Sequence, residues 1–214
     1  MIESVEQNTP EWLEARKGFV GASDAPIIAG VNRYHDIQYL WREKLSLNPP
    51  EKMSYPAQRG KELEPVALDI FNHEFGVVAV PVMMVSKRMP FMSASLDGYL
   101  AETNSIVEIK CPMGKKPFIA AKDGLVKEDH YPQLQHQLFV AEADYVDYVT
   151  FNGETEIVVN RVFPNLEYQR KLVRLEKWFW AKVTARSEIK QYGVTLQMPD
   201  LSSRPSEVGN ERGS

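Results

Sequence analysis

The chain has 214 residues, enough for one domain with a substantial core, with 43% hydrophobic and 25% charged residues and a formal net charge of −4. That balance argues against a large indiscriminate nucleic-acid-binding surface, while a local basic channel beside acidic residues stays compatible with it. The single cysteine, Cys111, excludes an internal disulfide and a self-contained cysteine-ligated zinc or iron–sulfur site, and no apolar run approaches the roughly 20 residues of a membrane span.

Met1 to Glu6 lacks the basic and apolar regions of a signal peptide, so a cytoplasmic location and no membrane partner are expected. Thr9-Pro10-Glu11 reads as a helix start, with a capping hydroxyl, a proline at the first helical position and an acid at the positive helix end. That helix should stop at Gly18. Gly21-Ala22-Ser23-Asp24 then predicts a tight turn feeding a short Ser-capped helix to Gly30, whose free N–H groups could meet an anion. Arg16 could point at the same anion, or the stretch could be a plain capped helix with a surface arginine. Ile37 to Leu45 predicts a third helix, and the proline-rich residues 47–56 predict a mobile loop.

Ala57 to Phe75 carries the clearest helical period: Leu63, Val66, Ala67, Ile70, Phe71 and Phe75 form a stripe, closed by Gly76. Glu64 lies at the edge of that stripe and Glu62 further towards solvent. A carboxylate so placed needs a partner, either a nearby lysine or arginine or a metal shared with other acids. Val77 to Val85 predicts a buried strand with Pro81 near an edge or a bulge.

Phe91 to Leu100 and Ser105 to Cys111 are two extended runs joined by the polar loop Ala101 to Asn104. Alternation puts Ile106, Glu108 and Lys110 on one face and Val107, Ile109 and Cys111 on the other, towards a core; Ser93, Ser95 and Asp97 likewise share a face. The hairpin therefore brings Asp97 beside Glu108 and Lys110. Two close carboxylates repel unless a cation lies between them, and hard oxygen ligands suit Mg²⁺ or Mn²⁺. Beside a phosphodiester such an ion lowers the pKa of a water, and a lysine can hold that water, or deprotonate it if its own pKa is depressed. The bare D-x(10)-E-x-K spacing also suits an ordinary hairpin with surface charges.

Lys115 to Lys122 predicts a short basic helix, its lysines either solvated or meeting phosphates. His130 to Glu142 predicts a helix with Gln133, Gln135, His136 and Gln137, an unusual density of amides for a core-packed helix; amides can bond backbone, water or a phosphate oxygen. His136 reads as a satisfied structural histidine rather than a ligand. Asp144 to Phe151 and Thr155 to Phe163 predict a hairpin around Asn152-Gly153, and Asn165 to about Ser187 a long amphipathic helix with Leu166, Leu172, Leu175, Trp178 and Phe179. The composition implies a single domain over 1–198 and a disordered tail over 199–214. The order of elements implies an α+β fold, with a mixed central β-sheet flanked by helices.

Six motifs in order carry a resemblance: Pro10-Glu11-Trp12-Leu13-x-x-Arg16, Gly21-Ala22-Ser23-Asp24, Gly60-Lys61-x-x-Glu64-Pro65, Ser95-x-Asp97-Gly98, Glu108-Ile109-Lys110-Cys111-Pro112 and Gln133-Leu134-Gln135. Across about residues 8–180 the chain resembles the YqaJ-like phage recombinase nucleases. These are lambda exonuclease-like members of the restriction-endonuclease-like PD-(D/E)xK superfamily. Leu96 stands where the superfamily's name would put proline, at a position pointing away from the metal face. The resemblance implies a restriction-endonuclease-like core with Asp97, Glu108 and the Ile109 carbonyl as ligands of Mg²⁺, for which Mn²⁺ can substitute, with two ions per site. Lys110 would orient or activate the attacking water, Glu64 would help bind metal or water, and Gln133 would support the site. Arg16, Ser23 and Ser95 would form a pocket for a 5′-phosphate.

The implied activity is 5′→3′ digestion of one strand of linear double-stranded DNA, leaving a 3′ overhang for phage-type recombination in a bacterial or phage-infected cell. The implied partners are duplex ends, a single-strand annealing protein and two further copies in a homotrimeric ring. The competing readings are an endonuclease or RecB-type nuclease on the same fold and a non-catalytic DNA-end-binding subunit. The lack of four cysteines counts against iron–sulfur-bearing relatives, and intact Asp97, Glu108 and Lys110 count against a decayed site.

Overall fold

The structure is a computed structural model that describes residues 17–49 and 52–201. The helix expected from Thr9, Arg16 within it, and residues 202–214 of the expected tail lie outside the described residues. The elements in order are β1 (Val20–Gly21), a 3-10 turn (Ala22–Asp24), α1 (Ala25–Ile28), α2 (Ile37–Lys44), α3 (Tyr55–Phe75), β2 (Val80–Val85), β3 (Met92–Leu100) and β4 (Ser105–Lys110). They continue with α4 (Lys115–Lys122), α5 (Tyr131–Ala141), β5 (Tyr145–Phe151), β6 (Ile157–Val162) and α6 (Leu166–Thr184). No described helix is long and apolar enough to cross a membrane.

The sheet is mixed, as the order of elements implies. β2 pairs antiparallel with β3, β3 with β4 and β5 with β6, whereas β4 and β5 are parallel and are joined by a crossover through α4 and α5. The two-residue β1 adds to β3 in parallel. On one face α5 and α6 bury Tyr131, Leu134, Leu138 and Leu172 against Leu96, Ile106 and Val146. On the other, Ala67, Leu68 and Phe71 of α3 pack on Val107, Ile109, Val149 and Phe151. A third cluster, with Ile28, Leu40 and Phe179, ties α1 and α2 to α6.

Three local features differ from the pattern. Helix α3 starts at Tyr55, because Pro56 fits its first turn. Its buried side is Ala67, Leu68 and Phe71, while Val66 and Phe75 are exposed. Leu68 faces the sheet because it seats over Gly98, where a Cβ would stand 3.1 Å from the Leu68 Cδ1 and 3.0 Å from the Ala79 Cβ. The β5–β6 connection is longer than a two-residue Asn-Gly turn. Asn152 Oδ1 accepts the N–H groups of Glu154, Thr155 and Glu156 at 2.8, 3.0 and 3.1 Å, and this side-chain turn sets the loop. After α6 the chain runs back over α1: Leu196 N–H donates to Ala29 O at 2.8 Å and the Tyr192 hydroxyl to Ile28 O. Leu196, Met198 and Leu201 pack against the α5–α6 core, so the expected tail is anchored at least as far as Leu201.

Candidate active site

The site lies where the sheet forks. Ser93 pairs with Gly21 of β1 and Val85 of β2, and Tyr99 pairs with Val80 of β2 and Ile106 of β4. β1 and β4 therefore share one edge of β3, with residues 94–97 between their pairings. On the opposite edge the register slips: Val80 faces Tyr99 but Val82 faces Leu96, so Asp97 and Gly98 together oppose Pro81. Pro81 has no N–H to give the ladder, and a bulge at this point re-aims the strand. Strict alternation, which would keep Ser93, Ser95 and Asp97 on one face, ends at the bulge. All three nonetheless line a single cleft of about 240 Å³, together with Gly21, Ser23, Lys61, Glu64, Glu108, Lys110 and Gln133. Helix α3 reaches that cleft from one face of the sheet with Glu64, and α5 from the other with Gln133. A larger depression of about 780 Å³, bounded by Arg33, Tyr34 and Tyr192, holds none of these carboxylates.

Within the fork Asp97 Oδ2 accepts the Ile109 N–H at 2.8 Å. Glu108 is 2% exposed and carries three donors. Its Oε1 accepts Lys110 Nζ and Gln133 Nε2, both at 2.6 Å, and its Oε2 accepts Gln137 Nε2 at 2.5 Å. Lys110 Nζ also donates to Gln133 Oε1 at 3.2 Å. Burial, then the Glu108 and Glu64 carboxylates, push the Asp97 carboxyl well above the usual aspartate range. Burial likewise raises Glu64; Lys110 opposes the rise and Glu108 adds to it. Burial alone would lower Lys110, but Glu108 and Asp97 outweigh it and hold the ammonium above the ordinary lysine range. The Glu108 and Asp97 carboxylates thus favour the charged ammonium of Lys110 in the metal-free site.

Asp97, Glu108 and Glu64 share the cleft with Lys110 and Lys61, and the three carboxylates supply the hard oxygen donors that Mg²⁺ or Mn²⁺ takes. The residues present therefore fit such an ion. Among the described residues no three His, Cys, Asp or Glu side chains already converge on one point as a finished cage.

Of the residues expected to hold a phosphate, Ser23 and Ser95 both line the cleft, and the buried Ser95 Oγ has no hydrogen-bond partner among the described residues. The turn before α1 is built differently from expectation. It is Asp24, at the N-cap of α1, whose Oδ2 reaches back to the Gly21 N–H at 2.8 Å and pairs with Lys44 Nζ at 2.6 Å. That carboxylate takes one of the amides expected to be free, and α1 is a single turn. Lys115 and Lys116 are exposed on α4.

The amide-rich helix divides its work. Gln133 and Gln137 serve Glu108. Gln135 bonds Phe163 O at 2.9 Å and the Asn165 N–H at 2.8 Å, holding the lead into α6. His136 is structural, as expected, between Glu176 Oε1 at 2.7 Å and Ser93 O at 3.0 Å. Gln137 has no assigned role in the sequence pattern; its four-residue spacing from Gln133 is the signal that pairs them. Lys61 stands in the Gly60-Lys61-x-x-Glu64-Pro65 motif without an assigned role, and Tyr148, which pairs with Glu108 across β4 and β5, has no signal in the sequence pattern. The Tyr148 hydroxyl lies 2.7 Å from His130 Nδ1, and burial pushes His130 down to about 2, so that ring is neutral.

Comparison with known proteins bears on the same stretch. The family described as the YqaJ-like viral recombinase domain matches residues 11–144. An uncharacterised YqaJ protein of Bacillus subtilis (strain 168) is 25% identical over 185 residues, 84% of this chain; the chain spans 58% of that relative's length. The exonuclease LHK-Exo in complex with dAMP superposes with a TM-score of 0.71 at 25% identity, covering 83% of this chain and 94% of that one. Another structure of LHK-Exo, described as an alkaline exonuclease from Laribacter hongkongensis, gives 0.70 at 24% identity with the same coverage. A phage-related exonuclease from Haemophilus somnus 129PT shares the fold, with a TM-score of 0.58 at 16% identity over 79% of this chain and 96% of that one.

Proposed function

The chain belongs to the YqaJ-like viral recombinase domain family, and we propose that it is a metal-dependent 5′→3′ exonuclease that digests one strand of linear double-stranded DNA. The product is a 3′ single-stranded overhang suited to phage-type recombination with a single-strand annealing protein. One nuclease domain over 1–198 performs the reaction, assembled as a homotrimeric ring. The observation that carries this reading is the fork itself: Asp97, Glu108 and Lys110 meet Gln133 and Glu64 where β3 leaves β4.

Asp97, Glu108 and the Ile109 carbonyl are the groups that would hold Mg²⁺ or Mn²⁺, up to two ions per site, with Glu64 as a further oxygen donor for ion or water. Such an ion supplies a water of lowered pKa and neutralises charge on the phosphate. Lys110, kept charged by Glu108 and Asp97, donates hydrogen bonds that orient the attacking water against the phosphodiester. Gln133 bridges Lys110 and Glu108 and keeps the ammonium aimed into the cleft. Ser95 Oγ, with no hydrogen-bond partner among the described residues, and Ser23 offer hydroxyls to the 5′-terminal phosphate, and Arg16 is assigned to the same phosphate by the family motif it stands in.

The test is incubation with linear and circular duplex in Mg²⁺ and in EDTA. Loss of linear DNA alone, from 5′ ends and only with Mg²⁺, is expected. Cutting of circles would favour an endonuclease, and binding of ends without hydrolysis would favour a non-catalytic subunit.

A further inference from the structure

We infer that Gln137 is a positioning residue for Glu108: with Gln133 it clamps both oxygens of that carboxylate and so sets the orientation in which Glu108 meets a divalent cation. The inference rests on the reading of Glu108 as a cation ligand. Gln133 and Gln137 are four residues apart on α5, so their amides project from the same face of the helix. Gln133 Nε2 takes Oε1 at 2.6 Å, and Gln137 Nε2 takes Oε2 at 2.5 Å. Lys110 also bonds Oε1, so Gln137 is the one donor to Oε2 in the hydrogen bonds described.

The two amides differ in position. Gln133 lines the cleft, whereas Gln137 is fully buried and is not part of its wall. Gln137 therefore acts on the reaction only through Glu108. Its own Oε1 has no hydrogen-bond partner among the described residues. Burying an amide with an unmet acceptor disfavours folding, and a methionine or leucine of similar volume would fill the space without that penalty. What those residues would not supply is the donor to Oε2. A carboxylate held by donors on both oxygens cannot rotate freely, so the lone pairs left over keep fixed directions. Hydrogen-bond partners of a metal-ligating group set its orientation, and their loss typically weakens metal binding roughly 10–100-fold.

The experiment is a calorimetric Mn²⁺ titration of the metal-free protein, without DNA, for the parent, Gln137→Met, Gln137→Leu and Glu108→Ala. Melting temperatures and the Mg²⁺ dependence of hydrolysis are measured alongside. Gln137→Met should bind Mn²⁺ roughly 10–100-fold more weakly. Its Mg²⁺ requirement should rise by a similar factor, and its rate should largely recover at saturating Mg²⁺. Its metal-free melting temperature reports folding separately, since the variant removes an unmet acceptor but also leaves Glu108 Oε2 without its donor. Gln137→Leu gives the same comparison if the methionine packs poorly. Unchanged Mn²⁺ affinity in whichever variant folds, with Glu108→Ala deficient, would overturn the role of Gln137 alone. Full Mn²⁺ affinity in Glu108→Ala would instead overturn the reading of Glu108 as a ligand. A rate loss in Gln137→Met that saturating Mg²⁺ does not relieve would also overturn the positioning role.

Discussion

Asp97 Oδ2 lies 2.8 Å from the Ile109 nitrogen, so a side chain of β3 takes up a backbone N–H of β4 just beyond the last paired residues, Gly98 and Val107. One carboxylate thus closes the ladder where the strands part and also faces the cleft between them. The bulge opposite Pro81 makes this possible, because it turns Asp97 at the point where β3 would otherwise continue along β4.

That double role predicts a trade between stability and activity at Asp97. Its folded carboxyl titrates above the unfolded one, so the folded state binds the proton more tightly. The ionised group therefore opposes folding: stability is lost as pH rises from the ordinary aspartate pKa through the raised one, and the loss is complete above it. Asp97→Asn keeps an oxygen for the Ile109 N–H and removes the charge. In EDTA at pH 7.5 it should melt above the parent, because the charge that opposes folding is gone. Hydrolysis should be abolished. A variant that melts lower than the parent would contradict this account of the charge.

Lys110 shares Oε1 of Glu108 with Gln133, so in the metal-free protein its ammonium is the nearest neutralising charge. Lys110→Met should slow hydrolysis roughly 10²–10⁴-fold, the range for a positioned proton-transfer or water-orienting group. Mn²⁺ affinity should be retained or increased, since a competitor for Glu108 has gone. Weaker Mn²⁺ binding by calorimetry would show that Lys110 builds the cation site instead of working beside it.

His136 lies between a carboxylate oxygen at Nδ1 and a carbonyl at Nε2, an arrangement that favours the imidazolium, which donates at both nitrogens. Burial alone would lower its pKa, but Glu176 and the Ser93 carbonyl raise it above the ordinary histidine value. A raised folded pKa contributes stability that is fully present below about 6.5 and is lost as pH rises through the folded value. Glu176→Gln should therefore cost about 3–5 kcal/mol at pH 6, where it strands a buried charge, and less at pH 9. Urea unfolding at the two pH values measures this. An equal loss at both would mean that the pair contributes through packing alone.

Ser95 supplies a buried hydroxyl with no hydrogen-bond partner among the described residues. If that hydroxyl meets a 5′-phosphate, Ser95→Ala should melt at the parent's temperature or slightly above. It should also lose much of the preference for 5′-phosphorylated over 5′-hydroxyl duplex. Arg16→Ala should lose the same preference more strongly, because a guanidinium makes a charge-assisted contact. Rates on both kinds of end decide the matter: parallel losses on the two would place both residues elsewhere on the duplex or in the scaffold.

The sequence by itself determined most of the elements and which polar groups line the cleft, because those depend on local period and chemistry. Helix α4 falls at Lys115–Lys122 as its composition predicts, and two-residue alternation puts Val107 and Ile109 in the α3 core and Glu108 with Lys110 in the cleft. Only the tertiary structure decided how those groups are held. The fork depends on β1 meeting β3 at Val20 and Met92, the bulge on the register between Val80–Val82 and Leu96–Tyr99, and the Glu108 clamp on Gln137 arriving from α5. His136 finds Glu176 forty residues away, and the segment around Leu196 finds Ala29 across most of the chain. None of these pairings has a local signature. A period of two or of 3.6 residues states which side of an element is buried, but not which distant side chain will complete its hydrogen bonds; packing decides that once the layers close.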